Sequence, residues 1–318
     1  MATHPTRRHL LALTAAAIAL PSILRAAPPT GTATGAAFGS AWRITLPDNA
    51  LLKRAPVEAL LARIDRLLSP WRADSEVSAF NRAPDSVGVS AETAHVAQAA
   101  LALAAESGGW FDPSVGPLVH RWGFGPITGE ATGWPGLRAA GDHLSKDRAG
   151  LTLDPCGIAK GRALDLLAAH LADAGHEHAL IDLGGELAAL GRHPSGRPWQ
   201  LAVEDPRPGH DGAAAVLALE GLAVATSGLR AQSYDPGGQR LGHIIDPRRA
   251  APAKGGLASV SVLAGSAMRA DGWATALAAA GEQGPALAGR RGIAALFLFD
   301  DGGGLRAETT GGFDRHLL

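Results

Sequence analysis

Four stretches of the chain carry polar residues where core packing alone would not ask for them. Phe111-Asp112-Pro113-Ser114-Val115-Gly116 runs on to Trp122-Gly123-Phe124-Gly125, and Leu153-Asp154-Pro155-Cys156-Gly157-Ile158-Ala159-Lys160-Gly161 opens a helix. Ala225-Thr226-Ser227-Gly228 precedes His243-Ile244-Ile245-Asp246-Pro247, and Ala270-Asp271-Gly272-Trp273-Ala274-Thr275 follows. Gly157 at a helix start lets the backbone come close to a ligand, and free N–H groups there favour an anion such as a phosphate. Lys160, one turn further in, can set a compact positive charge on that phosphate. Asp271 and Thr275 are four residues apart, so on a helix they share a face and can offer oxygens to one ion. A carboxylate, a hydroxyl and a carbonyl are the hard ligands that Mg²⁺ prefers, with phosphate oxygens and water completing an octahedron. Taken singly, these residues have ordinary readings too: Asp271 as a helix cap, Thr275 back-bonding within its helix, Asp112 as a turn before Pro113.

The elements that must position them can be read from periodicity and punctuation. Pro56 suits a first helical position, and Leu60, Leu61, Ile64, Leu67 and Leu68 recur at helical spacing until Pro70 stops the run. Ser90 caps a second helix that has Glu92 in its first turn and ends at Gly108-Gly109. A third helix begins near Gly157, carries Leu164, Leu167, Ala168 and Leu171 on one face, and stops at Gly175. Strands are expected at residues 178–183, 199–204, 214–220, 222–225, 259–263 and 293–299, with a last helix at 270–280 between the final two. Asp300-Asp301-Gly302-Gly303-Gly304 is a strong turn signal. Helices first and strands later predict an α+β fold: one domain over residues 28–318, its helical first half packed on a mostly antiparallel sheet.

Bulk properties exclude several functions. The 318 residues, 46% hydrophobic, are enough for a substantial core. Twenty-nine basic against thirty acidic residues leave a net charge of −1, so no strong field exists to hold a nucleic acid. Cys156 is the single cysteine, which excludes an internal disulfide and thiolate metal clusters. No G-x-G-x-x-G follows a strand, no phosphate-binding P-loop pattern occurs, and no G-x-S-x-G elbow is present. His176-Glu177-His178 reads as an exposed loop before a strand. Residues 1–27 stand apart. Arg7-Arg8 precedes an apolar run from Leu10 to Leu20, then Pro21 and Ala26-Ala27, the pattern of a secretory signal whose arginine pair suits the twin-arginine route. A periplasmic protein is expected, and one without a lipid anchor, because no cysteine follows the apolar run.

In order, and over nearly all of the chain after that signal, the four stretches resemble the ApbE family of FAD:protein FMN transferases. Phe38-Gly39-Ser40 resembles the family's Met-Gly-Thr start, and Leu68-Ser69-Pro70-Trp71-Arg72 with Ser75-Glu76 and Phe80-Asn81 resembles its Ser-Thr-Tyr segment. The resemblance implies a single α+β domain related to tunnelling folds. It implies that Asp154 and Lys160 contact FAD, and that Phe38, Trp71, Trp110, Phe111, Asp112 and Ile245 line the FAD site. It also implies that Gly157, through its carbonyl, and the side chains of Asp271 and Thr275 bind Mg²⁺. The implied reaction joins FMN to a threonine or serine hydroxyl of a target flavoprotein through a phosphoester, releasing AMP. The resemblance also implies an acceptor that is membrane-linked and carries a short Asp-x-x-Ser/Thr-Gly-Ala-Ser/Thr motif, as is typical of the family. His243, held by the turn at Asp246-Pro247, is the candidate general base. A Mg²⁺-dependent FAD pyrophosphatase and a periplasmic FAD-binding protein without catalysis remain the alternatives. Cys156, Pro155, Ala274 and Arg248-Arg249-Ala250 depart from the family's commoner residues.

Overall fold

The structure is a computed structural model that describes residues 29–129, 132–230, 233–234 and 241–318. Its spine is an eight-stranded sheet, and every pairing within it is antiparallel. The strands are β1 (Thr30–Ala37), β2 (Ser40–Pro47), β3 (Ala179–Leu183), β4 (Glu186–Leu190), β5 (Ala223–Gly228), β6 (Leu257–Ala264), β7 (Ala294–Asp300) and β8 (Leu305–Thr310). Their order across the sheet is their order along the chain, so each helix or hairpin is an insertion between neighbouring strands.

Alternation along the strands sorts side chains onto two faces. Ala188, Ala223, Ala225, Val260, Val262, Ala295 and Phe297 point into the larger core, beneath the helices. Ala189, Val224, Leu263, Leu296 and Leu298 point the other way, against the hairpin Trp199–Glu204/Ala213–Leu219 and Phe313. The result is helices, sheet and a small hairpin layer, an α+β arrangement as expected.

The helices are α1 (Arg54–Leu68), α2 (Glu76–Arg82), α3 (Ala91–Ser107), α4 (Gly116–Arg121), α5 (Cys156–Asp173), α6 (Ala267–Ala280) and α7 (Gly284–Arg291). α1 buries Val57, Leu61, Ile64 and Leu68 and ends before Pro70, as its spacing predicts. The Ser90 hydroxyl accepts the Thr93 N–H at 3.3 Å at the start of α3, and left-handed Gly108 ends it. His176-Glu177-His178 forms the irregular link into β3.

Three expectations need correction. The first half, helical as expected, also carries strands that its spacing does not predict: it opens with the β1–β2 hairpin and adds the short strands Ser86–Gly88, Leu137–Ala140 and His143–Lys146. β1 is an edge strand of threonine, glycine and alanine and carries no large apolar residue to mark its face. β2 has the alternation in Trp42, Ile44 and Leu46, all buried. The helix expected at 270–280 starts earlier, at Ala267, where the Ser266 hydroxyl accepts the Arg269 N–H. It is also not the last: α7 follows, with a proline in its first turn. The signal expected in residues 1–27 lies outside the described residues.

Candidate active site

The site forms where α5 and α6 cross beneath the sheet. Contact is close because position 161 has no side chain: a Cβ there would lie 2.4 Å from the Ala267 carbonyl oxygen. The Gly161 N–H donates to Asp271 Oδ2 at 2.9 Å, which bridges the two helices and leaves Oδ1 of that carboxylate to serve another group. Asp165, one turn along α5, accepts from Ser266 Oγ (2.7 Å), the Ala267 N–H (2.6 Å) and the Met268 N–H (3.0 Å). It therefore caps α6 from outside that helix, satisfying N–H groups the helix cannot satisfy itself. These bonds fix the axial register of α6 against α5.

That register brings the metal candidates together. Thr275 Oγ1 donates to the Gly157 carbonyl at 3.4 Å, 118 residues away in sequence. A Cβ on Gly157 would stand 2.9 Å from Thr275 Oγ1 and 3.1 Å from the Phe111 ring, so glycine is required where the oxygens converge. Asp271 is 4% exposed. Lys160, one turn from Gly157, places its ammonium 2.6 Å from Glu186 Oε1, and the second oxygen of Glu186 is buried without a hydrogen-bond partner.

Electrostatics show what this cluster lacks. Burial, then the nearby Asp271 charge, pushes the Glu186 carboxyl up to about 7, although Lys160 opposes the shift. Burial also raises Asp271, against the pull of Lys160 and the Gly161 N–H. For Lys160 itself burial works downward, but Glu186 and Asp271 outweigh it and hold the ammonium above its ordinary range. Two buried carboxylates share one cation, so the site carries surplus negative charge. A cation seated among Gly157 O, Thr275 Oγ1 and Asp271 would remove that surplus, and these are the hard oxygens suited to Mg²⁺. Among the described residues no cluster of three or more His, Cys, Asp or Glu side chains could hold a metal. A cation held there would draw on the Gly157 carbonyl and the Thr275 hydroxyl as well as the Asp271 carboxylate, with water and phosphate oxygens completing its shell.

The expected FAD-lining residues divide. Phe111 lies against Gly157, and the Asp154 N–H donates to the Pro113 carbonyl at 2.7 Å, so the two loops are joined. Asp154 Oδ1 accepts the Cys156 N–H at 3.0 Å, and Asp112 Oδ1 accepts from Ser114 N and Oγ at 2.8 and 2.6 Å; burial raises both carboxyls. Trp110 is 6% exposed, and the Arg248 guanidinium lies 3.8 Å from its ring centroid. Ile245 is buried in a short strand, Ile245–Asp246, that packs against α6. Phe38 and Gly39 form the two-residue turn of the opening hairpin with φ of 53° and 70°. A non-glycine residue held left-handed there costs roughly 1–2 kcal/mol. Trp71 stands apart: it projects from the turn after α1, 67% exposed, so packing does not explain it. His243 is half-buried and meets the Phe124 ring edge-on at 6.2 Å between centroids.

Sequence reasoning missed Glu186, Asp165, Gly161 and the partner of Asn81. The Asn81 side chain holds both the N–H (2.7 Å) and the C=O (3.0 Å) of Leu153, which anchors the chain entering Asp154. Glu186 had a signal, a carboxylate directly after Gly184-Gly185. Asp165 had none, since an acidic residue inside a helix normally faces water.

The family model of the ApbE family matches residues 38–297. The chain belongs to the ApbE family. An FAD:protein FMN transferase of Klebsiella pneumoniae is 32% identical over 92% of this chain and 91% of that protein. One of Vibrio cholerae is 34% identical over 82% and 83%. Among solved structures, the flavinyl transferase ApbE of Pseudomonas stutzeri in its apo form is 35% identical with a TM-score of 0.81, covering 91% of this chain and 97% of that one. The ApbE match spans all four stretches singled out by their chemistry and the helices α5 and α6 that join two of them.

Proposed function

We propose that this chain moves the FMN half of FAD onto a threonine or serine hydroxyl of another protein, with Mg²⁺ as its cofactor. The observation that carries the reading is the convergence of Gly157 O, Thr275 Oγ1 and Asp271 beside the Lys160 ammonium at the start of α5. Phosphoryl transfer asks a protein mainly for positioning and charge neutralisation. Lys160 and the α5 N-terminus would hold the FAD diphosphate, and Gly157, Asp271 and Thr275 would hold the metal against it. When bound, Mg²⁺ supplies neutralisation of the diphosphate charge. The acceptor oxygen forms a bond to the FMN-side phosphorus, the bond from that phosphorus to the bridging oxygen breaks, and AMP leaves with that oxygen. His243 takes the hydroxyl proton. Trp110, Phe111, Phe38 and Ile245 would provide the walls for flat rings and for the chain between them.

On this reading the acceptor is a flavoprotein outside the cytoplasm, linked to the membrane, and residues 1–27 direct the chain there. The test is incubation of the purified chain with FAD, Mg²⁺ and an acceptor carrying the Asp-x-x-Ser/Thr-Gly-Ala-Ser/Thr motif. Mass spectrometry should find one added FMN on the acceptor, lost when a chelator is present. Release of free FMN and AMP at the same rate without any acceptor would replace transfer with hydrolysis.

A further inference from the structure

Glu186 is a buried carboxylate that the reaction above does not use. It is the first residue of β4, placed there by the Gly184–Gly185 turn, whose φ values are 65° and 99°. Its side chain is 6% exposed. Oε1 is engaged by the Lys160 ammonium at 2.6 Å, while Oε2 is buried with no hydrogen-bond partner. A buried carboxylate oxygen left unsatisfied incurs its full desolvation penalty, so the fold tolerates it where a partner arrives from outside.

The surroundings restrict that partner. A Cβ on Gly184 would stand 3.9 Å from Glu186 Oε2, 2.8 Å from the Ser40 Cβ and 2.9 Å from the Ser40 Oγ, a hydroxyl that makes no hydrogen bond to Oε2, and the Gly184 N–H donates to the Ala41 carbonyl at 3.0 Å. Oε2 therefore faces the seam between the β3–β4 turn and the Phe38–Gly39 turn, at the edge of the proposed FAD walls. Lys160 gives one of its three N–H donors to Oε1 and keeps the others for another anion. If Lys160 meets the diphosphate, as the proposed function has it, the other oxygen of the same carboxylate lies within one sugar's length of that diphosphate. The donors a dinucleotide carries at that distance are hydroxyls.

We propose that Glu186 is a two-ended binding residue: Oε1 aims Lys160 at the diphosphate, and Oε2 accepts a hydroxyl of the sugar or sugar alcohol next to it. A charge-assisted bond of this kind is made only with a hydroxylated substrate, so Glu186 separates dinucleotides from bare polyphosphates.

Titrations with two probes, FAD and inorganic pyrophosphate, each with Mg²⁺, test the proposal on the full chain. Glu186→Gln should weaken FAD by about 10-fold or more and pyrophosphate by less than about 3-fold, because only FAD loses the charge-assisted hydroxyl bond, which an amide replaces with a weaker one. Equal losses for the two probes, or unchanged FAD affinity, would overturn it. Should the Gln variant not fold, Glu186→Asp keeps the charge but withdraws the carboxylate, and the same unequal losses are expected. Lys160→Met checks the underlying reading separately. If that variant binds both probes as wild type does, the diphosphate is elsewhere and the proposed function is at fault, whatever Glu186 does.

Discussion

The α5–α6 crossing and the segment around His243 are the two halves of the candidate site, and they are built differently. The crossing is buried and over-determined. Asp165 caps α6, Gly161 admits the α6 backbone, Gly157 makes room for the Thr275 side chain and the Phe111 ring, and Asp271 bridges the helices. The His243 segment is made of two-residue ladders, Ser233–Tyr234 with Leu241–Gly242 and Ile245–Asp246 with Ala251–Pro252. Aromatic contacts hold it: Phe124 lies against Tyr234 and His243, Trp122 Nε1 donates to the Ala250 carbonyl, and Arg248 covers Trp110. The half that must hold several charges in fixed geometry is supported by helix packing. The half around His243, which the proposed function gives to the acceptor hydroxyl, rests on short strands and exposed turns. Rigid placement of charge is what phosphoryl transfer requires.

Substitutions can break this contrast in a graded way. Asp271→Ala removes a metal-ligand candidate and the bridge to Gly161 together. Transfer should fall by about 10³-fold or more, with loss of the Mg²⁺-dependent part of FAD binding. A variant retaining a tenth of wild-type rate would take the metal away from this seam. His243→Asn should slow transfer by roughly 10²-fold and leave FAD affinity within about twofold, because it touches the other half only. Parallel loss of affinity would show that the halves are one unit. Gly161→Ala forces α5 and α6 apart and should cost about 1–3 kcal/mol of stability. Chemical denaturation measures it, and Mg²⁺ dependence should weaken with it; an unchanged midpoint would mean that the crossing is less tightly packed than the geometry shows.

The smallest expected effect is on pH dependence. The Glu186 carboxyl in the folded protein sits at about 7, above the 4.5 of an ordinary glutamate, chiefly through burial. The folded state therefore binds that proton more tightly than the unfolded chain does. The corresponding stability is complete below about pH 4.5 and is lost as pH rises through about 7. Without metal, the melting temperature should drop by a few degrees between pH 5 and 7.5, and Glu186→Gln should flatten that slope. A Gln variant that tracks wild type would assign the slope to other groups.

Much of the site was legible in the chain before the fold was known, and the reasons are local. Gly157 and Lys160 are one helical turn apart, and Asp271 and Thr275 share a face through i, i+4 spacing, so each pair is a property of a short segment. The strands expected at 199–204 and 293–299 announced themselves by apolar residues and flanking turns, and they lie at Trp199–Glu204 and Ala294–Asp300. The β1 edge did not, because Thr30–Ala37 holds no residue large enough to show which side is buried. Trp71 looked like a ring for packing or stacking, and the structure leaves it exposed, a matter its neighbours in sequence cannot decide. Glu186 and Asp165 were passed over for a related reason. A carboxylate's role depends on what surrounds it, and their partners, Lys160 and the α6 N-terminus, lie 26 and 101 to 103 residues away.

By itself the amino-acid sequence determined which groups exist and how they are spaced within a turn or two: the glycine that admits backbone, the ammonium, the carboxylate and the hydroxyl. Those follow from covalent order and the 3.6-residue helical period. Only tertiary structure decided that Gly157 and Thr275 meet, that two carboxylates share one lysine, and that one of their oxygens waits for a donor. Burial, distance and unsatisfied charge are relations between remote segments, and they come into being when α5 and α6 close on each other and exclude water.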